Sequence, residues 1–153
     1  MLIADHPAGK VFLGIFIAVC AISDFRKKSI DMRIFIITAM LEALAYIWML
    51  LADVSINWSC MAIGAAVGML MLIISGITKG QIGAGDAVFL ILTGIAMGGY
   101  RNVLLCCSGM LASALFGILM CMIRIFRGKS IRGYDFAFIP LLAPIGMVIL
   151  ICA

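Results

Sequence analysis

Charge is what this chain has least of. Only 12% of its 153 residues are charged, 66% are hydrophobic and the mean hydropathy is +1.29. A water-soluble domain averages about a quarter charged and about half apolar, so the deficit excludes a soluble fold and places the chain in lipid. Histidine occurs once, as His6, with no partner at ligand spacing, and no metal site is read there. The six cysteines, Cys20, Cys60, Cys106, Cys107, Cys121 and Cys152, lie in or beside apolar runs and form no C-x-x-C pair. They read as small buried apolar residues, neither a zinc site nor a disulfide framework. No repeat or low-complexity segment is present, and nothing calls for a cofactor. A cleaved signal peptide is also disfavoured, because Asp5 precedes the only early lysine, Lys10, and Val19 before Cys20 suits a lipoprotein cleavage site poorly.

What remains is one apolar run after another. At roughly 20 residues per spanning helix, 153 residues hold about six helices and no separate soluble domain. The expected fold is therefore all-α and polytopic, a single membrane domain over residues 1–153. The runs place spans at about Ala8–Ser23, Met32–Leu51, Trp58–Ser75, Ala87–Met97, Val103–Phe126 and Phe136–Cys152, with Tyr100-Arg101-Asn102 as a tight turn.

Polar residues punctuate these runs. Asp31 and Asp135 each precede a span and are expected to cap it by accepting bonds from its first free N–H groups. Glu42 falls near mid-helix, where an ionisable group is costly and faces the bundle interior as a packing residue, a hydrogen-bond partner or part of a polar cavity. Trp48 and Trp58 flank the short 52–57 loop as an interfacial aromatic pair. Gly64, Ala65, Ala66 and Gly68 allow a neighbouring helix to approach. Pro140 and Pro144 are expected to kink or interrupt the last helix. Residues 76–85 hold four glycines, a poor helix interior, and in lipid such backbone must be buried or line water.

The net charge of +4 is not a nucleic-acid signal, because its sign is distributed by loop. The first loop carries Arg26, Lys27 and Lys28, the second no basic residue, the third Lys79, the fourth Arg101, and the fifth Arg127, Lys129 and Arg132. Odd loops are then cytoplasmic and both termini lie outside the cytoplasm. Asp24 ends an inward-running span and Asp86 begins an outward-running one. Topology thus brings two carboxylates 62 positions apart to one edge of the bilayer. Close carboxylates share a proton, so the neutral one polarises a peptide carbonyl while the other takes a proton from water. A helix C-terminus disfavours an anion and an N-terminus favours one, which assigns Asp24 as acid and Asp86 as base. Plain structural readings stand beside this one: an N-cap for Asp86 and a surface salt bridge for Asp24.

At these residues the chain resembles the type IV prepilin leader peptidases, membrane aspartic proteases. Asp24-Phe25-Arg26 matches their D-x-R-type stretch and Gly83-Ala84-Gly85-Asp86 their G-x-G-D motif. The order of the motifs, the number of spans and a proline-containing last helix are also similar. The resemblance implies catalysis by Asp24 and Asp86, no cofactor, and a location in the plasma (inner) membrane. It implies as substrate a type IV pilin-like precursor, cut between its basic leader and its apolar helix on the cytoplasmic side. Val88 stands where the family commonly has lysine, and Asp31 where a proline often follows the isoleucine. The short fifth loop lacks the insert that larger members carry, which implies a peptidase-only short form. A small ion- or proton-coupled transporter using Asp24, Glu42 and Asp86, and an inactive scaffold of a pilus assembly, are the competing readings. Oligomeric state is not legible.

Overall fold

A computed structural model of the protein describes residues 1–27, 31–78, 83–127 and 139–152. Among these residues the chain forms a 3-10 turn (Ile3–Asp5) and six helices: α1 (Pro7–Lys27), α2 (Met32–Leu51), α3 (Trp58–Ile77), α4 (Ala84–Met97), α5 (Gly99–Phe126) and α6 (Ile139–Cys152). The all-α expectation holds. Four helices are long and apolar enough to cross a membrane, while α4 and α6 are apolar but shorter.

Local chemistry sets where the helices begin. Pro7 opens α1 where no N–H is needed, and His6 Nδ1 accepts the Ala8 N–H at 3.3 Å. Asn57 caps α3, its Oδ1 accepting the Cys60 N–H at 3.1 Å. Asp31 holds the cap position of α2 as expected, yet its side chain makes no capping bond; its backbone carbonyl takes the Ile34 N–H instead. The expected turn at Tyr100–Asn102 is corrected. Gly98, at φ +86, makes the corner alone, and those three residues belong to the first turn of α5. The glycine-rich stretch is also more helical than expected: Gly76 lies in α3 and Gly85 in α4. Residues 79–82 of that stretch, and the Asp135 cap, lie outside the described residues. Within its described residues α6 runs on through Pro144 without interruption, since Pro144 removes a single ladder bond.

Two packed pairs form the bundle, and α5 joins them: α3 lies against α4 and α1 against α6, with α5 touching α3, α4 and α6. Gly64 and Gly68 let the α4 backbone approach, for a Cβ at either would run into Gly94 or Ile91. Gly146 of α6 admits Ile17 and Leu105 in the same way. Phe16 of α1 stacks on Phe89 of α4, with ring centroids 5.5 Å apart. α2 is the outlier. It meets α4 and the 3-10 turn, and Tyr46 Oη donates to the Ile95 carbonyl at 2.7 Å.

The outward surface is apolar, with Val11, Ile15, Val19 and Ile22 exposed along one stripe of α1. In water such a surface would be an aggregation hazard; in a bilayer it is the solvated face. At one end of the bundle the Met1 ammonium donates to the Ser55 carbonyl at 2.7 Å, and Arg101 pairs with Asp5 at 2.8 Å. The 3-10 turn, the 52–57 loop and the Gly98 corner therefore share that end. Asp24 and Asp86 belong to the other.

Candidate active site

Asp24 lies near the end of α1, on the face that carries Leu13, Ile17 and Cys20, all fully buried. That spacing makes one helical stripe, so the carboxyl points inward and is only 8% exposed. Its Oδ2 accepts the N–H of Ile139, the first residue of α6, at 3.2 Å. That bond ties the end of α1 to α6. Among the described residues no salt bridge to Asp24 is present; Lys28, one partner the plain alternative offered, lies outside them.

Asp86 is the third residue of α4, one turn deeper than the capping position expected for it. Gly83 takes that position, its carbonyl accepting the Asp86 N–H at 3.1 Å. The Asp86 carboxylate folds back over Gly83: a Cβ there would stand 2.8 Å from Oδ2. The first turn of a helix remains a favourable place for a negative charge.

A polar staple fixes α4, and so the depth of Asp86. Asn102 of α5 is fully buried, and its Nδ2 donates to the Gly64 carbonyl of α3 and the Leu90 carbonyl of α4, both at 2.9 Å. The Thr93 hydroxyl completes the set by donating to Asn102 Oδ1 at 3.1 Å. Every polar atom of that amide is bonded at the crossing of three helices.

The fold thus packs α1 against α6 and sets Phe16 of α1 on Phe89 of α4, and Asp86 is near enough for the charge of Asp24 to act on it. Cys20, a turn before Asp24, also lies within reach of its charge. Glu42 does not join the pair. It is 3% exposed on the inward face of α2, as its position in the run suggested, and its Oε1 has no partner among the described residues. Val88, two residues past Asp86, packs against the apolar core. His6 stands at the opposite end of the bundle, and among the described residues no group of three or more His, Cys, Asp or Glu side chains is placed to hold a metal.

Sequence reasoning missed the Ile139 N–H, because a backbone donor has no signature in the alphabet. It missed Gly83 as the seat of a carboxylate, although the motif named the residue. It missed Asn102 as well, and there a signal existed: a lone amide at the mouth of a long apolar run.

A family model described as the type IV leader peptidase family matches residues 11–149. That match includes both aspartates and all six helices in whole or in large part. No match is found among curated proteins or among solved structures.

Proposed function

The chain belongs to the type IV leader peptidase family, and from that premise we propose that it is an aspartic endopeptidase whose working pair is Asp24 and Asp86. The observation that carries this reading is that the end of α1 and the start of α4 lie at one end of an apolar bundle, with Asp86 within electrostatic reach of the Asp24 charge. Two carboxyls sharing a proton divide the labour of hydrolysis. Asp86, in the first turn of α4, takes the proton of an attacking water; Asp24 hydrogen-bonds the scissile carbonyl and returns a proton to the leaving amine. The Ile139 N–H occupies one oxygen of Asp24 and so fixes which oxygen faces the substrate.

The substrate in this reading is a type IV pilin-like precursor whose basic leader stays in water while its apolar helix lies in lipid. The bond between those parts falls where the pair stands, at the cytoplasmic edge of the inner membrane, with both termini of the enzyme on the far side. Clusters such as Arg26 with Lys27, and Arg124 with Arg127, support that orientation. The absence of a long insert in the fifth loop supports a peptidase-only form.

Co-expression of a candidate precursor with the wild-type chain, Asp24→Asn or Asp86→Asn tests the proposal, read as the loss of the leader's mass. Each substitution is expected to cut the cleavage rate by about 100-fold or more while the protein stays in the membrane. Glu42→Gln is expected to cleave like the wild type. Cleavage that survives either aspartate substitution would remove the pair from catalysis. A requirement for Glu42 would point instead to a proton or ion path.

A further inference from the structure

α1 and α2 are consecutive in the chain yet scarcely pack together, since α2 is held by α4 and the 3-10 turn. At the end remote from the aspartates the gap between them is a cavity of about 370 Å³, walled by Ile3 and Gly9 on one side and by Ala45, Trp48 and Met49 on the other. The lining is largely apolar, with His6, the Met1 ammonium and the Trp48 indole N–H as its polar groups. Ligand sites begin at about 300 Å³, so one flexible chain fits here, and a helix about 10 Å across does not.

The location selects the occupant. Trp48 is 73% exposed beside the cavity, and with Trp58 across the 52–57 loop it marks the level where headgroups meet acyl chains. Groups of both signs stand at that level. His6 Nδ1 accepts the Ala8 N–H, which leaves the ring proton on Nε2 as a donor to a phosphate. Lys10 and Asp53 do not line the cavity but adjoin residues that do, Gly9 of α1 and Ala52 and Val54 of the loop that closes α2. We propose that the cavity holds one acyl chain of a zwitterionic phospholipid, with the phosphate toward His6 and Lys10 and the amine toward Asp53. The chain braces α1 against α2 where protein packing does not. This site is independent of the peptidase reading, because neither its lining nor its test involves the aspartates.

Native mass spectrometry of the protein, released from its membrane in mild detergent, reads the occupant directly. The wild type is expected to retain one phosphatidylethanolamine. Ala45→Phe and Ala52→Leu, which fill the cavity from two places on the α2 side, are expected to lose that retention by about tenfold or more. After delipidation, adding back phosphatidylethanolamine should raise the unfolding midpoint of the wild type by several degrees and leave both filled variants unmoved. A wild type that carries only detergent or a free fatty acid overturns the proposal. So does a folded filled variant that keeps the phospholipid as well as the wild type does.

Discussion

A methyl group on Gly83 would meet Asp86 Oδ2 at 2.8 Å, while one on Gly85 would meet nothing within 4 Å. The atom in the way is the tip of a mobile side chain, so the expected damage is to the placing of the carboxylate rather than to the fold. Gly83→Ala should lower cleavage about tenfold or more with little change in the unfolding midpoint, since a small misplacement of a reacting group is costly. Gly85→Ala should leave cleavage near the wild-type rate and stabilise α4 by about 0.5–1 kcal/mol, the usual gain over glycine in a helix. Paired rate and melting measurements on the two variants check this, and equal losses of activity would refute it. Asp5 offers a second case. Burial works to raise its pKa, but the Leu2 N–H and the Arg101 guanidinium outweigh it and hold the carboxyl below its ordinary value. Stability from that pair is therefore present above the unfolded value of about 3.9 and is lost as pH falls through the lower folded value. With side chains 21% and 35% exposed, solvent screening limits it to about 0–1 kcal/mol. The melting difference between wild type and Asp5→Asn should accordingly be small at neutral pH, begin to shrink below about pH 4 and vanish only once the pH has fallen past the lowered folded value.

The placing of α4 depends on how closely its neighbours approach. Gly64→Ala would drive a Cβ into the Gly94 carbonyl, and backbone, unlike a side-chain tip, has nowhere to go. A loss of about 1–3 kcal/mol is expected, as for other overpacked sites. Asn102→Leu keeps the volume but removes the buried ties to Gly64 of α3 and to Leu90 and Thr93 of α4, leaving the Thr93 hydroxyl only carbonyls of its own helix as acceptors; about 1–3 kcal/mol is again expected. Melting curves in one detergent check both, and the same samples should show cleavage falling as α4 loses its anchor. The limits of α2 and α3 were legible because a run of side chains that must lie in lipid ends where polar residues begin. The starts of α4 and α5 were not. Gly98 turns the chain in one residue and Gly83 replaces Asp86 at the cap, and both outcomes depend on backbone angles and on a partner helix rather than on polarity. Asp31 shows the same limit, as a residue at the right position whose side chain does not make the bond.

Across the whole molecule, the alternation of spans placed Asp24 and Asp86 at one end, and there the fold puts them. That much was legible because the alternation of sides follows from the number of spans. Contacts across the bundle, such as Ile139 with Asp24 or Phe16 with Phe89, were not legible, since helix neighbours in lipid are chosen by shape. The proposed orientation predicts that an epitope inserted at Asp53 is reached by antibody on intact spheroplasts, whereas one inserted beside Lys129 is reached only after lysis. The reverse pattern would put the aspartates on the wrong face. A last consequence follows from helix length. α4 begins at Ala84, beside Asp86, and has 14 residues, against 28 in α5. At 1.5 Å per residue it reaches about 21 Å, short of a hydrocarbon layer of about 30 Å. In the proposed reading the membrane at this protein has a shoreline, deep along α5 and shoaling toward α4, with the two carboxylates at the water's edge. A hydrolase working there would have no need to carry water through oil, because the oil would already have receded from the bond to be cut.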